Sequence, residues 1–471
     1  MQLLNVCSLK RFYLFFGILV FSKMTFSQKV YQFSVEQATQ YAMQNSIDVK
    51  NALLDIKIQK QSNREITSIA LPQLNGSVGL NHYFDIPVTT LPDFISPSVY
   101  KVLVDNGVIN GSGNPIQFPS NGFGYVPAKF GTNWTGSGGI DISQILFDGQ
   151  VFIGLKARNS VLTLAKQTAE VTNEQIKANV MKLYYQLVVG KQQATSIDAN
   201  IERFEKLLED TKEIYKNGFA EKLDQDKVEV QLNNLITERE KITNQLEMGN
   251  AALKFLMNLP QKDELVLTDS LNETQIIGNV PQDSFDLNNR KEYQQLSTAL
   301  KLSKYNIKRY ELSKLPSIAA FGSYSKNAQR NDFTFFGKGD WFSTSLIGLK
   351  LSVPLFDGNA RNARIQKAKY ELAKTENNKQ RLEELIQMES SNAILKLTSA
   401  LTTLATQKKN TTLAESVYNA AKLKYEQGLG SNMEIYNAQT EMKVSQNNYY
   451  SALYDAVIAK IDYLKAIGKL Q

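Results

Sequence analysis

The sequence predicts a mixed α and β membrane protein, internally duplicated. Each chain contributes four strands to a transmembrane β-barrel built by several copies and continued by a long coiled α-helical barrel. Three observations predict it: four landmarks recur in order, two long proline-free spans carry a heptad pattern, and alternating apolar–polar segments precede those spans.

The duplication comes first because it organises the rest. Leu146-Phe147-Asp148-Gly149 recurs as Leu355-Phe356-Asp357-Gly358 after 209 residues, and Tyr215-x-x-Gly218 as Tyr425-x-x-Gly428 after 210. Leu71-Pro72 recurs as Leu315-Pro316, and Asn45 as Asn289, both after 244 residues. Two consistent offsets mean two large repeats rather than a short solenoid period. Their difference places an insertion between Pro72 and Leu146. The expected organisation is a first repeat over 28–260, a linker over 261–288 and a second repeat over 289–471.

Proline is absent between Pro127 and Pro260 and after Pro354. Proline removes a backbone donor and clashes inside a helix, so such spans admit long helices. In the first span, positions alternating by four and three read Ile176, Val180, Leu183, Leu187, Gly190, Ala194, Ile197, Ile201, Phe204, Leu208, Thr211 and Tyr215. Adding 210 gives Ile386, Ser390, Ala393, Leu397, Ala400, Leu404, Gln407, Thr411, Ala414, Tyr418, Ala421 and Tyr425. A further stripe runs from Val228 to Leu256, interrupted by Arg239 and Gly249. A 3.5-residue repeat predicts helices wound in a left-handed supercoil. Helices are expected over 151–217, 220–258, 358–427 and 431–468.

Strands are expected at about 71–85, 134–147, 315–326 and 341–354. Leu74, Val78, Leu80 and Phe84 alternate with Gln73, Asn75, Ser77 and Asn81; Trp134, Ile140, Ile142 and Leu146 alternate with Thr135, Ser137, Asp141 and Ser143. In the last segment Ile347, Leu349, Leu351 and Val353 oppose Thr344, Lys350 and Ser352, with Phe342 and Leu346 as exceptions; 315–326 is mixed, with Phe321 on the wrong side. Each is long enough for the 9–11 residues of a tilted membrane strand. An antiparallel sheet on a soluble core shows the same alternation. The only two tryptophans, Trp134 and Trp341, open corresponding strands and are candidates for an interfacial aromatic belt. Residues 86–133, rich in Gly, Pro, Asn and Ser, read as a long external loop. Four strands cannot close a lipid-exposed barrel, and hydrocarbon leaves open edges unsatisfied, so the remaining strands must come from other copies.

Asp148 and Asp357 sit where a helix N-cap acceptor is needed. Gly218 and Gly428 sit where a helix C′ residue needs positive φ. At the N-terminus, Lys10 and Arg11 precede the ten-residue apolar run Phe12–Phe21, which is too short to span a bilayer and reads as a signal peptide over 1–27. Cys7, the only cysteine, would leave with it. Net charge is +7, or +4 without Lys10, Arg11 and Lys23, and the basic residues are interspersed with acids, so no nucleic-acid footprint stands out. His82 is the only histidine and no phosphate-binding glycine motif precedes a helix, so no enzyme, cofactor or metal centre is expected.

The duplicated strand–long-helix–strand arrangement, the Leu-Phe-Asp-Gly junctions and the Tyr-x-x-Gly turns resemble the TolC family of outer-membrane efflux proteins, over roughly 34–468. The resemblance implies a homotrimer in the bacterial outer membrane that extends into the periplasm, with a twelve-stranded barrel in outer-membrane lipid. It implies a passive duct of a tripartite efflux or type I secretion system, contacted by a periplasmic membrane-fusion adaptor and supplied by an inner-membrane pump. It also implies a constriction near the second Tyr-x-x-Gly turn, with Tyr425, Glu434 and Asn437 as candidates; Glu434 keeps the family's carboxylate and Asn437 does not. Gly218, Phe219, Gly428 and Leu429 become candidates for adaptor docking. The competing reading of the helices is a secreted coiled-coil structural or adhesion protein, which leaves the alternating segments and the duplication without a role. The transported substrate is not written in the sequence.

Overall fold

The computed structural model describes residues 29–270, 285–337 and 339–470. The expected signal peptide with Cys7, and the middle of the expected linker, lie outside the described residues. The chain divides into two units. One comprises residues up to Gln59, Ser160–Leu302 and Leu372–Gln471; the other comprises Lys60–Asn159 and Ser303–Glu371.

Elements follow in the order β1 (Val30–Phe33), α1 (Val35–Asn45), α2 (Ile47–Ser68), β2 (Gln73–His82), β3 (Val88–Pro92), α3 (Ile95–Asp105), β4 (Tyr125–Lys129) and β5 (Trp134–Phe147). Then come α4 (Gly149–Lys216), α5 (Lys222–Met257), β6 (Glu264–Leu267), α6 (Lys291–Leu312), β7 (Ser317–Arg330), β8 (Phe342–Ser352), α7 (Ala360–Glu426) and α8 (Asn432–Ala466). Helices α4 and α7 have 68 and 67 residues, so each is about 100 Å long at 1.5 Å per residue. Among the described residues no helix is long and apolar enough to cross a membrane.

In the helical unit the heptad positions become the core. Ile176, Val180, Leu187, Ala194, Ile197, Phe204 and Leu208 are buried along α4, as are Ile386, Ala393, Leu397, Leu404, Ala414, Tyr418 and Ala421 along α7. The stripe on α4 is wider than a two-helix seam because α4 has two kinds of neighbour. Tyr184 and Leu187 pack with Leu253 and Met257 of α5, whereas Ala178 and Val189 pack with Leu453 and Ala456 of α8. Both interruptions in the α5 stripe have a physical reason. A Cβ at Gly249 would stand 2.7 Å from Leu187 Cδ2, so glycine there lets α4 and α5 approach. Arg239 instead reaches Asp198 of α4, Nε to Oδ1 2.6 Å.

Around this core the chain is tied at two points. Strands β1 and β6 pair in parallel, and Tyr184 Oη donates to Phe33 O at 2.8 Å while accepting from Asp269 N at 3.2 Å. Burial pushes that phenol up to about 12. Arg290, itself buried, donates to Glu292 on α6, to Glu389 on α7 and to the carbonyl of Ala466 at the end of α8.

The other unit is built on a four-stranded antiparallel sheet of order β2-β5-β7-β8. A β-bulge lies between Ile145 and Phe147. The insertion is more than a loop: β3 pairs with β4, and α3 lies between them, with Tyr100 packed on Phe118 and Phe123. Helices α2 and α6, which sequence reading did not single out, are each 22 residues long and start 244 residues apart. That is the offset of the two Leu-Pro pairs that follow them.

Candidate functional site

The register decides what each sheet face is made of. Leu74 lies opposite Ile142, Gly322 lies between Ile142 and Ile347, and Tyr324 lies opposite Ile140. These residues share a face with Val78, Leu80, Leu349 and Leu351, and several stand almost fully open: Val78 is 92% exposed and Ile347 90%. The opposite face carries Gln73, Asn75, Ser77, Asn81, Thr135, Ser137, Ser143, Ser323, Ser325, Asn327 and Thr344. An apolar face left open beside a polar one is the distribution expected of a wall with hydrocarbon on one side and water on the other. Phe321, which breaks the alternation, lies over Gly348, where a Cβ would come within 2.7 Å of its ring. Strands β2 and β8 each have one unpaired edge within the sheet.

Trp134 and Trp341 belong to one aromatic cluster at a single end of the sheet. Ring centroids are 5.0 Å apart for Trp134 and Phe333, 5.7 Å for Phe333 and Phe335, and 6.1 Å for Phe335 and Trp341. His82 joins at 4.3 Å from Trp134, so the lone histidine of the sequence is an aromatic neighbour. The phenylalanines come from the short β7–β8 connection. Their three-in-four spacing (Phe333, Phe335, Phe336) is the sequence signal that could have found them.

The two Leu-Phe-Asp-Gly junctions use similar residues differently. Asp148 Oδ1 accepts from the amides of Gln150 (2.8 Å) and Val151 (3.3 Å), which α4 would otherwise leave unpaired. Gly149 is already helical there, and a Cβ would meet Leu312 Cβ at 2.7 Å. Asp357 Oδ2 accepts from both the amide and the guanidinium of Arg361, each at 3.0 Å. Gly358 and Asn359 both have positive φ (62° and 67°), so the chain turns before α7 begins at Ala360 instead of running directly from strand to helix.

The Tyr-x-x-Gly turns lie side by side in the helical unit. Gly218 (φ 80°) and Gly428 (φ 72°) end α4 and α7 in the same way. Their amides bond to Tyr215 O and Tyr425 O, and the next amides, of Phe219 and Leu429, bond to Ile214 O and Lys424 O at 3.0 and 2.9 Å. These two bonds satisfy carbonyls the helix ends leave open, and they require the left-handed glycine. Thr211 Oγ1 reaches Asn432 Oδ1 at 3.1 Å, and Phe204, Leu208, Tyr418, Ala421 and Ile435 share one core beneath the turns. Phe219 and Leu429 are left out of it, at 87% and 79% exposure.

Of the three constriction candidates, Tyr425 packs against that core with its hydroxyl buried and unpaired. Its phenol is held above the usual range by burial and then by the charge of Asp210. Glu434 and Asn437 are exposed on α8. Ser431 Oγ accepts from Glu434 N, and Glu434 Oε1 lies 3.2 Å from Lys424 Nζ, an ion pair that sequence spacing did not reveal. Among the described residues no cluster of His, Cys, Asp and Glu has the makings of a metal site.

Residues 286–469 match the family model described as outer membrane efflux protein. The outer membrane protein TolC of Vibrio cholerae is 19% identical over 339 residues, covering 71% of this chain and 77% of that one. Among solved structures, the outer membrane protein VceC of Vibrio cholerae superposes with a TM-score of 0.69 at 13% identity, over 92% of this chain and 96% of that one. The outer membrane channel CmeC of Campylobacter jejuni gives 0.69 at 16% identity, over 92% and 85%. That family is one of channels and not of enzymes. The family model over the second half of the chain, the curated relative and the common fold all point to the TolC-like outer membrane efflux proteins of the bacterial outer membrane.

Proposed function

We infer that the chain is the outer-membrane channel component of a tripartite efflux or type I secretion system. Three copies pool twelve strands into a transmembrane barrel and their long helices into an α-helical barrel in the periplasm. The duct is passive, and energy and substrate choice come from an inner-membrane pump joined through a membrane-fusion adaptor. The observation that carries this reading is the four-stranded sheet, with one apolar face open, one polar face, and unpaired outer edges on β2 and β8. In hydrocarbon those edges have no water to satisfy them, so β2 of one copy pairs with β8 of the next until the ring closes.

The remaining residues take roles within this frame. Trp134 and Trp341, with their aromatic neighbours, form the belt at one membrane interface, and the insertion between β2 and β5 lies on the external side. Phe219 and Leu429 are the apolar contacts offered to the adaptor, and Glu434 from three copies lines the constriction. Fractionation tests the frame directly: heat-modifiable trimers in the outer membrane are expected. A monomer in lipid, or a soluble rod, would overturn it.

A further inference from the structure

The polar face of the sheet is nearly free of charge, and the register locates its exceptions. Among the residues of β2, β5, β7 and β8, Asp141 is the only acid. It stands on the polar face between Asn75 and Ser323, in the row that continues to Leu346. Lys350, opposite Ala319, is the only cation on that face. Lys326 and Arg330 fall on the other face, Arg330 opposite Trp134 at the aromatic end. Asp141 and Lys350 are both exposed, and neither has an ion pair or a side-chain hydrogen bond among the described residues. From Leu346 to Lys350 is four residues, so the two charges lie about 13 Å apart along the strands.

We propose that Asp141 and Lys350 set the ion preference of the sheet-built part of the duct, as two opposed rings of charge on a wall otherwise lined by uncharged residues, mostly hydroxyls, amides and glycines with Phe321 and Leu346 among them. The inference rests on the trimeric duct, in which each residue appears three times at one level. A twelve-stranded wall at ordinary spacing and tilt has a backbone radius of about 12 Å, and inward side chains bring the charges to about 8 Å from the axis. The Debye length is about 10 Å at 0.1 M salt and about 3 Å at 1 M. Three carboxylates at that distance enrich cations on the axis roughly threefold at 0.1 M, even at the dielectric of water, and hardly at all at 1 M. The lysine ring does the same for anions one level away. With both rings present the wall has little net preference, which suits passage of neutral, zwitterionic and either-sign solutes.

The test is the reversal potential of single channels of the full mature protein in planar bilayers under a KCl gradient centred near 0.1 M. Asp141→Asn is expected to shift the potassium-to-chloride permeability ratio toward chloride by up to about ninefold, because threefold enrichment of cations comes with threefold depletion of anions. Lys350→Gln is expected to shift it toward potassium by a similar factor, and Asp141→Glu to keep the wild-type value. Both shifts should vanish near 1 M KCl. Each variant is first checked for trimers of wild-type yield. Trimeric channels of wild-type conductance whose ion preference ignores both substitutions overturn the proposal and leave the duct standing. Absence of any channel from the wild-type protein overturns both.

Discussion

Replacing Val78 by arginine puts a charge on the open apolar face of β2, four residues from His82 at the aromatic end. At 3.3 Å per residue that is about 13 Å along the strand, or about 10 Å in depth at a tilt near 40°. The apolar band of a membrane barrel is about 25 Å tall, so Val78 lies near its middle, where arginine costs about 2–4 kcal/mol. Three copies per trimer bring this to roughly 6–12 kcal/mol of assembled protein. Ser77→Arg is the matched control, because the neighbouring residue points to the polar face opposite Gly139 and its cost there should stay below about 1 kcal/mol. The assay is folding from urea into lipid vesicles, read as the yield of heat-modifiable trimer and the urea midpoint. Val78→Arg should depress both and Ser77→Arg should leave both near wild type. Equal effects, or the reverse order, would refute the assignment of the two faces.

Phe219→Asp combined with Leu429→Asp should abolish efflux or secretion in cells while trimers form normally. Undiminished export would remove these residues from adaptor docking. Glu434→Ala should change single-channel conductance and weaken block by divalent cations; unchanged behaviour would rule out a Glu434 constriction and leave the residue as the partner of Lys424. Arg290→Ala removes a buried cation bonded to two carboxylates and a helix-end carbonyl. Because Glu292 and Glu389 are partly solvated, the expected loss is about 2 kcal/mol rather than the larger cost of breaking a fully buried pair, read as a lower urea midpoint of the trimer. Burial, and then the charge of Glu292, raises the carboxyl of Glu174 above its ordinary value of 4.5. Its contribution to stability is therefore full below that value and is lost as pH rises through the raised one. Glu174→Gln should lose less stability than the wild type between pH 4.5 and neutrality, and parallel pH profiles would count against it.

The long helices were legible because burial of one stripe over many turns demands a regular period, and nothing in either span interrupts the backbone. Even the flaws were informative: Gly249 and Arg239 break the α5 stripe where Leu187 and Asp198 of α4 approach. The sheet was legible where both faces had a job. Phe321 misled because the reason for it is Gly348 on another strand, and a cross-strand partner is invisible until the register is known. The insertion hid β3, α3 and β4 because strands of five residues among Gly and Pro leave no period to count. The pairing of Glu434 with Lys424 was missed for a different reason. It spans a turn, so neither helix spacing nor strand alternation brings the two together in sequence. The equivalent junctions at Asp148 and Asp357 show the same limit. Matching residues announce a cap at both, yet Gly149 is helical and Gly358 left-handed, a difference of backbone that identical side chains do not encode.

The parallel pair of β1 and β6 has a consequence for the order in which the protein is made. Val30 finds its ladder partner in Glu264, 234 residues on, and Asp269 accepts from the amide of Val35 over the same separation. Such distant closure carries a high entropic cost and comes late in folding. Strand β1 therefore waits, unpaired, until more than half of the polypeptide is available. In that interval its edge is open to any other extended segment, which makes Val30–Phe33 the place where a chaperone's grip matters most.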